Sequence, residues 1–319
     1  MNNLPVLFLM GPTATGKTDL AAALHDAYQT DLISVDAVQV YRGMDIGSGK
    51  PGAAFLRKHP HALIDIRAPS ETYNAAQFCE DALGLIAESH ARGRLPLLVG
   101  GTMFYFAALE HGLSELPGGD AAARAEIARE MEELGAAAMH AKLREVDARL
   151  AGTIRPSDPQ RISRALEIHR LSGRPPSEVM AENAGAPLPF PLVKLGLFFG
   201  ERKKLHARIE ARFQKMLERG LVEEVRELLA SAEAAGESPQ NWPSLRAVGY
   251  RQTIDFLRGE FSGEELHARG AAATRQLAKR QLTWMRRQRE LVWLEAESAL
   301  ETARAYLDAR EDVAEFRRD

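Results

Sequence analysis

Short apolar runs alternate with helical patterns along the first hundred residues of the chain. Continuous apolar segments at residues 5–10, 32–36, 62–66 and 95–99 are typical of buried strands in a parallel sheet. Between them, apolar positions at helical spacing predict helices over residues 17–28 and 74–91. Strands that alternate with helices indicate βαβ units. We therefore expect an α/β fold, a parallel sheet flanked by helices.

The pattern changes after residue 112. Helical segments rich in Ala, Glu and Arg follow one another with no strand between them, at 120–134, 136–150 and 159–171. A Gly/Pro-rich stretch at 185–191 ends this block and is typical of a linker. We therefore expect a helical insertion domain at 113–190.

The remaining residues return to the α/β pattern. The apolar run 192–199 predicts a further strand, long helices are predicted over 201–233 and 263–289, and residues 291–294 predict a last strand. Residues 1–112 and 191–319 together are predicted to form the catalytic core with C-terminal helices.

Composition excludes several classes of protein. Apolar residues make up 45% and charged residues 27% of the chain, which is ordinary for a globular protein. A single cysteine, Cys79, excludes an internal disulfide framework and a multi-cysteine zinc site. No apolar run approaches the roughly 18 residues that span a bilayer. The apolar N-terminus lacks a preceding basic region, so no signal peptide is expected. We expect a cytoplasmic protein with no membrane partner.

The distribution of charge differs from its average. The net charge is −3, yet residues 269–289 carry seven basic and no acidic side chains, and residues 201–219 carry seven basic and three acidic ones. One basic run is usually a solvated helix face. Two runs of the same sign in a chain of opposite net charge favour a surface that binds a polyanion.

The segment from Gly11 to Thr18 fits the pattern G-x-x-x-x-G-K-[ST], after a predicted strand and at the start of a predicted helix. In a loop of this kind, backbone N–H groups and the helix N-terminus bind phosphate oxygens. Lys17 adds a positive charge, and the Thr18 hydroxyl is placed to hold Mg²⁺. ATP, GTP and other diphosphates fit the loop equally well. The predicted diphosphate or nucleotide site comprises Gly11, Pro12, Thr13, Ala14, Thr15, Gly16, Lys17 and Thr18.

A nucleotide-hydrolysing site also needs an acidic residue that helps to hold Mg²⁺, and the position of such a residue is unusual here. P-loop ATPases and kinases commonly place a carboxylate at the end of a core strand. The strand at 95–99 instead leads into Gly100, Gly101 and Thr102, whereas Asp36 and Asp65 lie at the ends of other predicted strands. Asp36 is then a water-mediated Mg²⁺ ligand, a catalytic base or a turn-capping residue. Asp65 fits the capping role better.

Eight segments, in order along nearly the whole chain, resemble the tRNA dimethylallyltransferase (isopentenyltransferase) family. The segments are 11–18, 34–51, 63–65, 99–103, 158–166, 208–212, 247–252 and 274–281. The long and irregular segment 34–51 makes the match specific, although Ala37 stands where many members carry serine. No Cys/His zinc module follows the catalytic region, which resembles the bacterial form.

The resemblance implies a prenyltransferase. It would transfer a dimethylallyl group from dimethylallyl diphosphate to N6 of adenosine 37, in tRNAs that read codons beginning with U, giving N6-(dimethylallyl)adenosine. By the same resemblance Asp36 is the base and the Thr102 hydroxyl orients the amine. Lys17, Arg212 and Mg²⁺ on Thr18 stabilise the leaving diphosphate. A plain surface charge is the alternative for Arg212.

The adenine of nucleotide 37 must leave the base stack of the anticodon loop to reach such a site. We expect it to enter a channel between the sheet edge and the insertion. The tRNA contacts implied by the resemblance are Asp36, Ala37, Val38, Gln39, Thr102, Arg124, Gln160, Arg161, Ile162, Ser163, Arg164, Asn241, Trp242, Pro243, Ser244, Leu245, Arg246, Lys279 and Arg280. Trp242 could stack on a base or pack internally. Phe104, Tyr105 and Phe106 are interpreted as core packing rather than as a prenyl-pocket wall.

Two other functions fit part of the sequence. A small-molecule P-loop kinase accounts for Gly11–Thr18 but leaves both the basic run at 269–289 and the segment 34–51 unexplained. A non-catalytic, nucleotide-switched RNA-binding module would make Asp36 a turn residue only. No repeat or coiled-coil seam suggests assembly, so we expect a monomer.

Overall fold

A computed structural model describes residues 4–114, 116 and 120–318. The chain divides into two compact units. One comprises Met1–Ala108 and Pro189–Asp319, and the other comprises Leu109–Leu188. The sequence had predicted the two junctions at 112/113 and 190/191, a few residues later in each case.

The first unit is built on a six-stranded parallel sheet, which confirms the predicted α/β fold. The strands follow the order β3-β2-β4-β1-β5-β6. Their bounds are Val6–Met10 (β1), Thr30–Val35 (β2), His61–Ala62 (β3), Leu95–Gly100 (β4), Leu192–Phe198 (β5) and Leu291–Glu295 (β6). Strand β1 lies between β4 and β5, with Leu9 opposite both Val99 and Leu195. Because all strands run in parallel, the loops after β1, β2 and β4 meet at one edge of the sheet.

The third strand is much shorter than the predicted run 62–66. Leu63 and Asp65 have backbone φ angles of 64° and 57°, in the left-handed region, so the extended backbone ends at Ala62. The carboxylate of Asp65 pairs with the buried ammonium of Lys50. Among the described residues no backbone N–H donates to this carboxylate, so Asp65 does not cap a turn as expected.

Helices surround the sheet. The first four are Lys17–Ala27 (α1), Ala53–Lys58 (α2), Ala75–Ala91 (α3) and Met103–His111 (α4). One hydrophobic core lies between the sheet and its helices and includes Leu9, Leu24, Leu195 and Leu307. Within the described residues, no helix has the length and apolar character needed to cross a membrane.

The second unit is helical. It contains Ala121–Val146 (α5), Ala148–Ala151 (α6), Pro159–Ser172 (α7) and Pro176–Glu182 (α8). The two predicted helices 120–134 and 136–150 meet at Gly135, whose backbone is not helical. Ile127, Met139, Leu143 and Ile162 form its core.

The C-terminal part of the first unit supplies the remaining helices. They are Arg202–Glu218 (α9), Leu221–Ala234 (α10), Tyr250–Leu257 (α11), Gly263–Met285 (α12), Ala299–Asp308 (α13) and Glu311–Ala314 (α14), with short 3₁₀ helices at Pro239–Asn241 and Pro243–Arg246. The single helix predicted over 201–233 is two helices because Gly220 adopts a φ of 98° and breaks the chain direction. Helix α12 packs along α9.

Candidate active site

A cleft of about 980 Å³ opens at the carboxyl edge of the sheet in the first unit. Its walls combine the Gly11–Thr18 loop, the segments that follow β2 and β4, and side chains of α9 and α12. Lys17, Asp36, Thr102 and Arg212, which the sequence analysis had singled out, all line this one cleft. Residues separated by nearly two hundred positions in the chain are thus brought together by the parallel topology.

The phosphate-binding loop is closed by its own polar groups. Thr15 Oγ1 and Lys17 Nζ both donate to the carbonyl oxygen of Pro12, at 2.8 and 2.7 Å. Gly11 is closely surrounded, since a Cβ there would lie 3.0 Å from the Leu197 carbonyl oxygen and 3.1 Å from Cγ and Cδ of Lys17. The loop lies between the end of β1 at Met10 and the start of α1 at Lys17, as the motif predicts.

Lys17 is strongly affected by its surroundings. Burial, and after it the positive charge of Arg212, lowers the pKa of Lys17 to about 7, whereas the negative charge of Asp36 opposes the shift. Two cations held together beside a glycine-rich loop repel each other. A bound polyanion would relieve this repulsion, so the arrangement suits a diphosphate.

Asp36 follows β2 directly and is half-buried. Its Oδ1 accepts hydrogen bonds from the N–H groups of Val38 and Gln39, at 2.9 and 3.2 Å. Burial raises the pKa of Asp36, and these two bonds, Lys17 and Arg212 act in the opposite direction. The turn-capping interpretation is thus correct for one carboxylate oxygen. The other makes no hydrogen bond within the described part of the chain and remains free to accept a proton.

Thr102 lies next to Asp36. Its Oγ1 accepts a hydrogen bond from the Ala37 N–H at 3.0 Å, and its own N–H donates to the Val35 carbonyl at 3.2 Å. These contacts join the ends of β2 and β4. The hydroxyl keeps its hydrogen and a lone pair for a ligand, which is what orienting an amine and its ring would require.

Arg212 is not the plain surface charge considered as its alternative. It lies half-buried on α9, and its guanidinium packs against the backbone of Gly49. Burial lowers the pKa of Arg212, and Asp36 opposes this shift. The neighbouring Arg208 donates through Nε to the Ala14 carbonyl at 3.0 Å and stands over the Phe199 ring. Two arginines of one helix thus face the phosphate-binding loop.

The residues present fit a magnesium ion that is shared with phosphate. Among the residues that the structure describes, no cluster of three or more His, Cys, Asp or Glu side chains could hold a metal. Mg²⁺ commonly binds one or two protein oxygens and takes its other ligands from substrate phosphates and water. The Thr18 hydroxyl lines the cleft beside Lys17 and is such an oxygen. Mg²⁺ at Thr18 stays a prediction.

Sequence reasoning missed several cleft residues. Gln281 of α12 accepts a hydrogen bond from the Thr13 N–H at 3.0 Å and donates to the Gly101 carbonyl at 2.8 Å, so it joins the phosphate loop to the end of β4. Trp284, one helical turn further along, also lines the cleft. Both lie in the basic run 269–289, in which the sequence predicts roles for the charged residues only, although Gln281 ends the segment 274–281 that resembles the family.

The aromatic trio at the start of α4 is divided. Tyr105 and Phe106 are buried, as the core-packing interpretation predicts. Phe104 is 54% exposed and lines the cleft, so the interpretation was wrong for this residue. Adjacent side chains of a helix point in different directions, and that of Phe104 faces away from the core.

The residues predicted to contact tRNA fall into two groups within the first unit. Those that line the cleft are Asp36, Ala37, Val38, Gln39, Thr102, Arg246 and Arg280. Lys279 and Asn241 are exposed, but Trp242, Ser244 and Leu245 are buried. Trp242 Nε1 donates to Glu237 at 2.6 Å, and the Ser244 hydroxyl donates to the Pro69 carbonyl at 2.7 Å. Internal packing is therefore the correct interpretation of Trp242.

The other predicted contacts lie in the helical unit. Gln160 and Arg161 are exposed on α7, whereas Ile162 is fully buried and belongs to the core of that unit. Arg124 and Arg164 both pair with Glu167, each at 2.7 Å. These two arginines are thus already partly neutralised by a buried carboxylate.

Most of the chain matches a known protein family. Residues 39–288 match the family model described as IPP transferase. A relative from Hahella chejuensis (strain KCTC 2396), named tRNA dimethylallyltransferase 2, is 49% identical over 306 residues, which cover 92% of this chain and 91% of the relative.

Solved structures show the same similarity. The full-length tRNA isopentenylpyrophosphate transferase from Bacillus halodurans is 34% identical, with a TM-score of 0.70 over 98% of this chain and 97% of that one. The tRNA delta(2)-isopentenylpyrophosphate transferase from Staphylococcus epidermidis is 28% identical, with a TM-score of 0.65 over 96% and 100% of the two chains. A eukaryotic dimethylallyltransferase acting on tRNA shares the fold, with 23% identity and a TM-score of 0.77 over 98% and 80%. The family model matches most of the chain, and the Hahella chejuensis relative is 49% identical over 92% of it. The chain therefore belongs to the IPP transferase family.

Proposed function

We propose that this protein is a tRNA dimethylallyltransferase that modifies N6 of adenosine 37, in tRNAs reading codons that begin with U, to N6-(dimethylallyl)adenosine. One observation carries the proposal. A half-buried carboxylate, Asp36, lies in the same cleft as the Gly11–Thr18 loop and two half-buried cations, Lys17 and Arg212. A base beside a diphosphate site is what prenyl transfer to an amine needs.

The diphosphate of dimethylallyl diphosphate binds the loop from Gly11 to Thr18, between Lys17 and Arg212. The Thr18 hydroxyl would hold Mg²⁺, which would supply positive charge to offset part of the charge that develops on the leaving group. The electrostatic attraction between these cations and the developing negative charge is strongest where water is excluded, so burial increases their stabilisation of the transition state.

The N6 amino group of adenosine 37 is a poor nucleophile because its lone pair is delocalised into the adenine ring. As N6 bonds to C1 of the dimethylallyl group, the bond from C1 to the diphosphate oxygen breaks. The N6 proton passes to the free oxygen of Asp36, whose raised pKa makes it a better base. The Thr102 hydroxyl, fixed by the Ala37 N–H, orients the ring.

The adenine must be extruded from the anticodon loop to reach Asp36. A cleft of about 980 Å³ has room for a nucleobase and a five-carbon chain. Arg246 and Arg280 at its wall suit the phosphates that flank the extruded nucleotide.

The test incubates the protein with dimethylallyl diphosphate, Mg²⁺ and an anticodon stem-loop that contains A36-A37-A38. Mass analysis of the digested RNA should find one added C5 unit on A37, and none on a matched stem-loop with G37. A parallel reaction with labelled ATP tests the kinase alternative. Phosphate transfer from ATP without C5 transfer would overturn the proposal.

All groups proposed for the chemistry come from one unit of one chain, which supports a monomeric enzyme. Light scattering of the protein with and without the stem-loop tests this. A tRNA substrate also supports the cytoplasm as its location.

A further inference from the structure

The segment from Asp45 to Lys50, which follows the proposed tRNA contacts at residues 36–39, is held by a single carboxylate of α10. Glu224 Oε2 accepts the N–H groups of Asp45 and Ile46, at 2.9 and 2.6 Å, and Oε1 accepts the Gly47 N–H at 3.0 Å. Three consecutive backbone donors on one charged acceptor fix the path of the backbone. Such charge-assisted bonds are about twice as strong as neutral ones.

Tyr250 adds a second support to the same segment. Its hydroxyl donates to Glu224 Oε1 at 2.7 Å and accepts the Ser48 N–H at 3.1 Å. The side chain is fully buried, and burial, with Glu224 as the next cause, raises its pKa, so it stays a donor. Gly47 permits this contact, since a Cβ there would lie 2.6 Å from the Tyr250 ring.

The fixed segment ends against Arg212. Gly49 has a φ of 65°, and a Cβ at this position would lie 1.8 Å from Nη2 of Arg212 and 2.8 Å from its Cζ. The guanidinium therefore occupies the space in which any other residue would place its side chain. The backbone at Gly49 is a surface on which the guanidinium rests.

Arg212 needs such a surface. Its long side chain loses rotamer freedom when it is held in one position. Arg212 lowers the pKa of Lys17, and Arg208 lowers the pKa of Arg212, so the cations in the cleft repel one another. Asp36 attracts the guanidinium at the same time. Because attraction and repulsion act together, the position of the guanidinium depends on the backbone against which it packs.

We propose that the segment from Asp45 to Lys50 positions Arg212 for the diphosphate, with Gly49 leaving room for the guanidinium and Glu224 fixing the backbone against which it rests. Gly49 and Glu224 are positioning residues that act through Arg212. The inference rests on the proposed function only in assigning Arg212 to the diphosphate, so inorganic pyrophosphate is a sufficient probe.

The first experiment compares Gly49→Ala with a matched control, Gly43→Ala. Gly43 lies in the same loop with a φ of 74°, but a Cβ there would have nothing within 4 Å. Both variants strain the backbone alike, and only Gly49→Ala displaces the guanidinium. By calorimetry with Mg²⁺, we expect Gly49→Ala to bind pyrophosphate about tenfold to a hundredfold more weakly than the natural protein. Gly43→Ala should bind within about twofold of it.

A double-mutant cycle separates positioning from general damage. In an Arg212→Ala background, Gly49→Ala should weaken pyrophosphate binding no further, because the group that it displaces is gone. Glu224→Gln keeps the shape of the side chain but replaces one acceptor oxygen with a donor, so it should weaken binding in the same Arg212-dependent way. The Tm of each variant shows whether it is folded.

Two results would overturn the inference: equal pyrophosphate binding by Gly49→Ala and Gly43→Ala, or independent losses from Gly49→Ala and Arg212→Ala. Absence of pyrophosphate binding by the natural protein would also overturn it, together with the diphosphate part of the proposed function. A natural protein that binds pyrophosphate and shows the cycle, yet transfers no C5 unit to RNA, would contradict only the proposed function.

Discussion

At the scale of single residues, Asp36 uses the two oxygens of one carboxylate differently. Oδ1 accepts the N–H groups of Val38 and Gln39 and so fixes the turn after β2. The other oxygen accepts no hydrogen bond among the described residues, and in the proposed reaction it takes the proton. A group that orients itself through one oxygen needs no further residue to aim the other, so a lone carboxylate would suffice as the proposed base.

This division of roles leads to a prediction for Asp36→Asn. The amide oxygen can still accept both N–H groups, so the turn should be kept while the base is lost. We expect the single-turnover rate of dimethylallyl transfer to fall by about 10²–10⁴, with tRNA affinity within about threefold of the natural protein. Asp36→Ala, which also loses the turn, should be at least as slow and should bind tRNA more weakly. A normal rate in Asp36→Asn would exclude Asp36 as the base.

Lys17 leads to a prediction about pH. Its pKa of about 7 in the free protein means that the ammonium loses its charge as the pH rises through that value. kcat/KM for dimethylallyl diphosphate, which reports the free protein, should therefore fall above about pH 7, roughly tenfold per pH unit. A bound diphosphate favours the charged form, so the alkaline limb of kcat should lie at higher pH.

The matched variant for this profile is Lys17→Arg, because a guanidinium stays charged throughout the accessible range. It should lower kcat/KM but abolish the alkaline limb. An alkaline limb that persists in Lys17→Arg would assign the titration to another group. On the acid side, burial raises the pKa of Asp36, so the acid limb of activity should lie at higher pH than it would for a solvent-exposed aspartate.

At the scale of elements, the approach of α9 and α12 depends on one small residue. Gly270 of α12 lies under the ring of Phe213, and a Cβ there would lie 2.0 Å from Phe213 Cζ. Phe213 follows Arg212 in the chain, and Gln281 lies further along α12. The contact thus sets the distance between two helices that both supply cleft residues.

Gly270→Ala should destabilise the protein. Overpacking costs about 1–3 kcal/mol, and the helix propensity of alanine returns up to about 1 kcal/mol. We expect a net loss of about 1–2 kcal/mol in the free energy of unfolding, measured by urea titration. Gly84→Ala in α3 is the control, since a Cβ there meets nothing within 4 Å. It should gain about 0.5–1 kcal/mol. Stabilisation by both substitutions would show that Phe213 moves aside freely.

The elements differ in how far the sequence could predict them. Long apolar runs such as those of β1, β4 and β5 were predicted to within a residue or two, because buried parallel strands have few polar positions. The strand at 62–66 was overextended, since nothing in its residue types signals the left-handed backbone of Leu63 and Asp65. Short helices such as α2 and α11 were missed because one or two turns give too little periodicity.

The site shows the same limit. The motif at Gly11–Thr18 could be located in the sequence because its chemistry is local. Gln281 and Glu224 could not, since the backbone groups that they bind lie more than 170 positions away and neither residue type is unusual in a helix. Asp36 was found by its place after a strand, although position alone left its role open.

At the scale of the whole molecule, the basic run of α12 differs from the other basic residues in its partners. Arg269 and Arg275 pair with Glu265 and Glu210. In the described ranges, Lys279, Arg280 and the three arginines at 286, 287 and 289 form no ion pair with a carboxylate, and all five are exposed. Unpaired charges at the end of one helix give a local positive field in a chain whose net charge is −3.

This distribution predicts how tRNA binding depends on salt. If Lys279 and Arg280 contact phosphates, replacing both with alanine should lower the slope of log K against log [salt] by about one unit for each lost contact. Affinity should fall for every stem-loop sequence alike, because phosphate contacts carry no sequence information. The control is Arg310→Ala with Arg317→Ala, which removes the same charge but from arginines paired with Asp312 and Asp308. Filter binding between about 50 and 300 mM KCl, over which the Debye length falls by about a factor of two, gives both slopes. Equal slopes for the two double variants would mean that only net charge attracts the RNA.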